Sequence, residues 1–353
     1  RIIKKKLNYK GDILFIDHHL AHAASAFLPS PFKKAAILTV DGVGEWTTTA
    51  YGVGEDEEII LKKQIEFPSS LGLLYSTITA YLGFSVNNSE YKVMGLSPYG
   101  DRNKETNHYY SKLKKVIDIK EDGSYKLNKD YFSYTYKNKM PSKKMCELLG
   151  GPITKADTIM GKRHKDIAAA LQVITEEVMT KMLNHLYKVT QCENLVLAGG
   201  VALNSVYNGK ILRETPFKNL WIQPNASDGG TSMGAAYYIY NSILKQKRGK
   251  FFDNAYTGPT YSNEEIKEFL DKNKIKYFEF KTRDQFLKTV SQLIFKNKVI
   301  GWFQKGMEWG PRALGSRSIL SNPCEKNMQE ILNLKVKHRE KFRPFAPAVC
   351  VDD

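Results

Sequence analysis

Leu195-Val196-Leu197-Ala198 is an unbroken apolar run that ends in Gly199-Gly200 and continues into Val201-Ala202-Leu203-Asn204. Such a run, bounded by glycines, reads as a buried strand that turns straight into a helix. In α/β sheets ligands collect at the carboxyl ends of strands, where helix N-terminal amides favour phosphate. A strand-to-helix turn also needs glycine for purely structural reasons, so the pair alone does not define a ligand site.

The rest of the chain repeats this alternation. Asp12 to Ile16 reads as a short strand and His19 to Phe27 as a helix. Ala35 to Val40 reads as a buried strand ending at Asp41-Gly42, with hairpin-like strands to about Phe67. Leu71 to Phe84 and Ser89 to Leu96 read as helices, and a long amphipathic helix runs from about Lys165 to Val189. After the strand Asn194 to Ala198 come a helix from Ala202, a short strand near Trp221 and a helix from Gly230 to about Leu244. Strands alternating with helices define an α/β architecture. The Gly/Pro-punctuated stretch Phe251 to Tyr261 precedes Ser262-Asn263-Glu264-Glu265, a capping box that opens a new helix. The domain boundary is placed there, giving domains of residues 1–250 and 251–353.

Composition sets outer limits. A chain of 353 residues has ample core for two domains, and shares of 42% hydrophobic and 25% charged residues are those of a globular protein. No apolar run reaches the roughly 18 residues of a membrane span, and the opening residues lack a signal-peptide core. Cys146, Cys192, Cys324 and Cys350 are scattered, with no CxxC pair, which fits reduced thiols. The expectation is a cytoplasmic protein without a membrane partner. Half of the net charge of +16 falls between Asp101 and Lys165, where 16 Lys/Arg face 8 Asp/Glu. This segment is rich in tyrosine and poor in regular period. It reads as a solvated insertion, with nucleic-acid binding or an acceptor pocket as the alternatives.

Two further patterns carry chemistry. In Asp17-His18-His19-Leu20-Ala21-His22, His18 and His22 stand at i and i+4, so on a helix their imidazoles share one face. Asp41, in a Val-Asp-Gly turn, and Asp228, in Ser-Asp-Gly-Gly, are the carboxylates that could complete a site. Alone, either aspartate also reads as a cap or turn residue. Two imidazoles with carboxylates suit iron(II), manganese or zinc. The other pattern is Gly310-Pro311-Arg312-Ala313-Leu314-Gly315-Ser316-Arg317, followed by Lys337-His338-Arg339-Glu340-Lys341-Phe342-Arg343-Pro344. It follows the apolar strand Val299 to Phe303 and sets Arg312, Arg317, Lys337 and Arg343 among glycines and prolines. Guanidinium forks match phosphate or carboxylate oxygens two at a time, so the reading is an anion pocket. Neither a Walker lysine motif nor a GxGxxG fingerprint is present.

The Gly310 and Lys337 strings resemble the signature of the O-carbamoyltransferases related to nodulation protein U and the cephem carbamoyltransferases. The HxxxH pair, the Val-Asp-Gly turn, Asp166-Ile167-Ala168-Ala169 with Gln172, the Gly199 to Asn204 string and Asp228 resemble the domain of tRNA threonylcarbamoyl transferases. The resemblance implies an actin–hexokinase-like (ASKHA) two-lobed domain followed by the start of a YrdC-like α/β domain. It further implies an enzyme that moves a carbamoyl group from carbamoyl phosphate, through a carbamoyl-adenylate made with ATP and Mg2+, to a hydroxyl of a small molecule or glycan.

By motif match, His18, His22, Asp41 and Asp228 would hold a divalent metal, iron(II) foremost, with manganese or zinc as alternatives. Asp41, Gly42, Glu90, Gly199, Gly200, Asn204 and Asp228 would meet the nucleotide. Arg312, Arg317, Lys337 and Arg343 would bind carbamoyl phosphate, with Arg312, Lys337 and Arg343 acting in catalysis. A tRNA-modifying threonylcarbamoyl transferase and a non-catalytic actin-like nucleotide-binding protein are the alternatives. Nucleic acid is not the expected partner, and a homodimer is the candidate assembly. Such families open with a strand and glycine-rich turn that this sequence lacks, and Ala346 to Val351 is a strand-like run at its other end. The expectation is a fragment short at both ends, with the general base in the absent opening segment.

Overall fold

A computed structural model describes residues 2–155 and 158–350. In chain order its strands are β1 (Lys34–Gly44), β2 (Thr47–Glu55), β3 (Glu58–Glu66), β4 (Ile117–Ile119), β5 (Tyr125–Leu127), β6 (Asn194–Ala198), β7 (Asn219–Trp221), β8 (Ile300–Phe303) and β9 (Arg317–Leu320). Among the described residues no helix is long and apolar enough to cross a membrane. The chain divides into two compact units. One comprises the residues up to Gly72 with Leu183–Leu203 and Ile211–Phe251. The other comprises Leu73–Met182, Asn204–Lys210 and the residues from Phe252 onward.

The first unit is a mixed five-stranded sheet in the order β3-β2-β1-β6-β7. β1 is buried from Ala35 through Asp41, as a central strand covered on both faces must be. It pairs antiparallel with β2 on one side and parallel with β6 on the other, Ala36 to Thr39 lying against Leu195 to Ala198. The helix His18–Phe27 crosses this sheet, and its run of small residues buries all but two of its ten positions. Ala23, Ala24, Ala26, Phe27 and Leu28 form a core with Ala35, Ile37, Val196 and Ala198. Burying a side chain such as Phe27 contributes about 2–3 kcal/mol. The helix Thr231–Tyr237 packs against His18–Phe27 through Gly234, where a Cβ would come within 1.9 Å of the Ala21 carbonyl oxygen. Only glycine lets the two backbones approach so closely.

The second unit is built on the long helix Lys162–Thr190, of which residues up to Met182 belong here. Ile167, Leu171, Ile174 and Val178 are buried at helical spacing. The lysine- and tyrosine-rich segment is more regular than its sequence suggests. It contains the helix His108–Leu113, the β4–β5 hairpin and the helix Lys143–Leu149. Tyr109, Tyr125 and Tyr131 are core residues rather than the lining of a pocket. Several of its cations are neutralised by acids of the long helix. Arg102 Nη2 donates to both oxygens of Glu176 at 2.7 and 2.8 Å, and Lys104 and Lys114 both reach Glu177.

Three sequence expectations fail. Residues 12–16 form no strand, because nothing pairs with them among the described residues. The helix expected from Ala202 begins at Ser205, since Gly200–Leu203 closes a tight 3-10 turn first and Asn204 caps the next helix. Residues 346–350 are irregular; Val351 and Asp353 lie outside the described residues.

Candidate metal centre

His18 opens the first helix, and His22 lies one turn further on. The ring of His22 is fully buried, while that of His18 stands partly open. Asp41 lies on β1 just beyond its paired stretch with β6, and Asp228 begins the turn Asp228–Gly230 ahead of the Thr231–Tyr237 helix. All four belong to the first unit. His18 Nε2 is 3.2 Å from Asp41 Oδ2 and 3.4 Å from Asp228 Oδ1, and His22 Nε2 is 3.5 and 3.4 Å from the same oxygens. The four ligand atoms lie within 4.8 Å of one another. Metal–ligand bonds near 2.1 Å place tetrahedral ligand atoms about 3.4 Å apart, so the spacing matches one first-row ion.

The surroundings fix these side chains. Asp41 Oδ1 accepts the Gly200 amide at 2.7 Å, leaving Oδ2 for the imidazoles. Ser70 donates its hydroxyl to the carbonyls of Asp41 and Gly42, pinning the turn. Gly199 has φ of +92°, and a Cβ there would stand 2.2 Å from the Val40 carbonyl oxygen, so the two glycines permit the approach of the β6 turn to Asp41. The His18 amide donates to Glu45 Oε2 at 3.2 Å. His19 faces away: the Thr39 hydroxyl donates to the Ala50 carbonyl and accepts from His19 Nδ1 at 2.7 Å. Neither ring nitrogen of the buried His22 has a hydrogen-bond partner, and a bound cation would satisfy Nε2, the nitrogen that faces Asp41 and Asp228.

The electrostatics point the same way. Hydrogen bonds donated to Asp228 and then Asp41 raise the His18 pKa to about 10. Burial works to lower the pKa of His22, but the same two carboxylates outweigh it and raise it. Burial penalises the Asp41 carboxylate, yet His18, His22 and the Gly200 amide hold its pKa far below the usual range. Asp228 is lowered to about 2, first by His18 and then by His22. His19 is pushed down to about 4, chiefly by burial and next by His22. Two carboxylates stay ionised here, and without a cation they hold protons on the imidazoles instead. Two imidazole nitrogens and two carboxylate oxygens suit iron(II), manganese or zinc.

The other residues expected at a nucleotide divide between the units. Gly42, Gly199 and Gly200 adjoin Asp41 in the first unit. Glu90 and Asn204 belong to the second, and their side chains are already engaged there. Glu90 accepts from Ser76 Oγ at 2.6 Å and from the amides of Asn87 and Ser89. Asn204 exchanges hydrogen bonds with the buried Gln172, which also binds Tyr75 and Glu176.

The arginine strings lie in the second unit. Arg343 is nearly buried, its guanidinium 4.2 Å from the Tyr91 ring centroid and 3.3 Å from Glu340 Oε2. Loss of solvation and the neighbouring Arg343 charge both lower the Arg312 pKa. Arg339 is lowered by the same two effects in the same order, and its guanidinium lies 4.7 Å from the Phe345 ring centroid. Lys337 is exposed. Arg317 instead faces Glu308, its Nε 3.0 Å from Oε2.

Sequence reasoning missed Arg339, Tyr91, Glu308 and Asn333. Fully buried Asn333 donates to the carbonyls of Lys341 and Arg343 and accepts from Arg339 Nε at 2.7 Å, so it organises the second string. Arg339 could have been found from its place inside that string; nothing in the sequence marks the other three.

Comparison with known proteins places this geometry in a family. The family model for the carbamoyltransferase N-terminus matches residues 2–237, and that for the carbamoyltransferase C-terminus matches residues 291–353. The chain belongs to the carbamoyltransferase family. An uncharacterized protein of Synechocystis sp. is 43% identical over 99% of this chain and 58% of its own length. Nodulation protein NolNO of Sinorhizobium fredii is 35% identical over 97% of this chain and 48% of its own. Nodulation protein NolO of Bradyrhizobium diazoefficiens is 32% identical over 96% of this chain and 59% of its own. The chain therefore spans between 48% and 59% of the length of these relatives.

Proposed function

We propose that the protein is an ATP-dependent O-carbamoyltransferase, with an ASKHA-type first domain and a YrdC-like second one. The observation that carries this reading is the convergence of His18, His22, Asp41 and Asp228 in a chain of this family. These four residues would hold the divalent ion, iron(II) foremost. When bound, the ion supplies a Lewis acid for the carbamoyl carbonyl.

The chain's own groups divide the remaining work. Arg312, Arg339 and Arg343, with Lys337 and Arg317 from the same strings, bind the phosphate of carbamoyl phosphate and offset the charge that develops on it. Water cleaves carbamoyl phosphate to carbamate and phosphate, a carbamate oxygen then attacks the α-phosphorus of ATP with loss of pyrophosphate, and a carbamoyl-adenylate results. The acceptor hydroxyl then attacks the carbamoyl carbon, AMP departs and the hydroxyl proton passes to a base.

The test uses the full-length enzyme, metal-loaded, with carbamoyl phosphate and ATP. Carbamoyl-adenylate and pyrophosphate should form in equal amounts, and both should depend on carbamoyl phosphate. A folded, metal-loaded enzyme that releases no pyrophosphate would refute the reading.

A further inference from the structure

Glu308 is an acid that the reaction above does not use. Its side chain is wholly buried in the second unit, two residues ahead of Gly310. Oε1 accepts three backbone amides of the loop that joins β8 to β9: Leu314 at 3.1 Å, Ser316 at 2.7 Å and Arg317 at 3.0 Å. Oε2 stands 3.0 Å from Arg317 Nε, and the same guanidinium donates from Nη2 to the Gly310 carbonyl at 3.0 Å. One carboxylate thus ties the end of the loop to its beginning. Trp309 Nε1 and Ser316 Oγ are buried close by in sequence, and neither makes a hydrogen bond. The loop is also held from outside, by the Leu314 carbonyl accepting from the Tyr256 hydroxyl and by the Trp309 amide donating to the Ala255 carbonyl.

A successive run of amides around one oxygen is the arrangement by which a backbone cradles an anion. Here the protein supplies the anion itself. Burial opposes the charge on Glu308, but the amides of Leu314, Arg317 and Ser316 outweigh it and keep the group ionised. The loop is therefore shaped before any substrate arrives. With Nε and Nη2 of Arg317 committed, Nη1 makes no hydrogen bond among the described residues and is left to a ligand. Arg312 is carried on the same loop at a fixed distance along the backbone.

We propose that Glu308 is the positioning residue of the Gly310–Arg317 loop, its carboxylate fixing the three amides and the Arg317 guanidinium so that Arg312 and Arg317 meet carbamoyl phosphate preformed. The proposal rests on the carbamoyl phosphate reading of that loop, but its first consequence is independent of substrate. In the full-length protein, Glu308→Ala should speed hydrogen exchange of peptides covering residues 310–317 by about tenfold or more, with the first unit unchanged. Glu308→Gln retains one acceptor oxygen and loses the ion pair, so its exchange should fall between the two.

The second consequence is kinetic. Both variants should raise KM for carbamoyl phosphate in adenylation by about tenfold or more, while KM for ATP moves by less than about threefold. Glu308→Asp, which keeps the charge on a shorter stem, should recover part of the loss. Wild-type exchange in folded Glu308→Ala would overturn the proposal; if that variant does not fold, wild-type exchange in Glu308→Gln would do so. A loosened loop with an unchanged KM for carbamoyl phosphate would also overturn it. If the wild-type enzyme forms no carbamoyl-adenylate, the functional reading falls instead, and the exchange measurement still decides whether Glu308 holds the loop.

Discussion

Arg248 offers the sharpest test of how the helix that carries His18 and His22 is anchored. Its guanidinium donates to the carbonyls of Phe27 at 3.0 Å, Leu28 at 2.9 Å, Ser30 at 2.6 Å and Phe32 at 2.7 Å, with a longer bond of 3.3 Å to Asp56. It also lies 4.7 Å from the centroid of the Phe27 ring. The Phe27 carbonyl ends the His18–Phe27 helix, Leu28 caps it, and the Ser30 and Phe32 carbonyls lie in the turn that follows, so one cation closes the C-terminal end of this helix. Four close charge-assisted bonds at about 1.5–3 kcal/mol each would sum to far more than the cation is worth, because its own desolvation opposes them. Arg248 is half-buried, and water can reach part of the space it leaves. We therefore expect Arg248→Ala to cost about 3–5 kcal/mol. At about 2.1 cal/mol/K of unfolding entropy per residue, that corresponds to a Tm drop of roughly 4–7 °C for 353 residues. Arg248→Lys keeps the charge but has three donors and no planar fork, and should lose about half as much. Thermal and urea unfolding of the full chain, followed by circular dichroism, would measure both. An alanine variant within about 1 kcal/mol of wild type would show that water replaces the guanidinium without penalty.

Metal loading should release protons. The carboxylates raise His18 to about 10 and raise His22 as well, so the metal-free site holds protons on its imidazoles near neutral pH. Titration calorimetry in buffers of different ionisation enthalpy should find that release, and affinity should climb as pH rises toward 10. In the metal-free protein, the stability from His18 is fully present below its unfolded pKa of about 6.5 and lost as pH rises through about 10, so Tm should fall across that window. His22→Ala should weaken metal binding by about 100-fold or more, read by metal analysis after dialysis against a chelator. Gly234→Ala places a Cβ 1.9 Å from the Ala21 oxygen and should cost at least about 2–3 kcal/mol in urea unfolding. Arg312→Ala in the full-length enzyme should slow carbamoyl-adenylate formation about 100-fold, measured by pyrophosphate release.

Local pattern made much of this legible. The helix after Asp17, the strands β1 and β6, the long helix over Lys162–Thr190 and the Ser262 capping box all follow from periodicity and punctuation within a few residues. The four candidate metal ligands were identifiable because HxxxH fixes one face of a helix, and glycine turns mark aspartates at element ends. What escaped was set by distant partners. Residues 12–16 have a strand's composition but no strand beside them. Glu308, Asn333 and Arg248 are ordinary polar letters in the sequence. Each acquires its role only when the fold surrounds it with backbone groups that have no other partner. Tyr109, Tyr125 and Tyr131 of the basic segment pack inward, while Glu176 and Glu177 draw neighbouring cations onto the long helix.

The candidate metal centre is in this sense a product of strand register. Ala36 to Thr39 pair in parallel with Leu195 to Ala198, so the carboxyl ends of β1 and β6 finish side by side although some 160 residues separate them. That register brings the Gly200 amide to Asp41 Oδ1 and turns Oδ2 toward the two histidines. A slip of one residue would invert every side chain of β1, moving Asp41 to the other face and its buried neighbours into solvent. The apolar burial that forbids the slip is therefore also what aims the carboxylate. His18 and His22 can be placed together by one turn of helix, but their acidic partners can be supplied only by the sheet and by the Asp228 turn ahead of the helix that packs at Gly234. Spacing along the chain could suggest that such partners exist. Only the topology gives them the 3.2–3.5 Å contacts that one divalent ion requires.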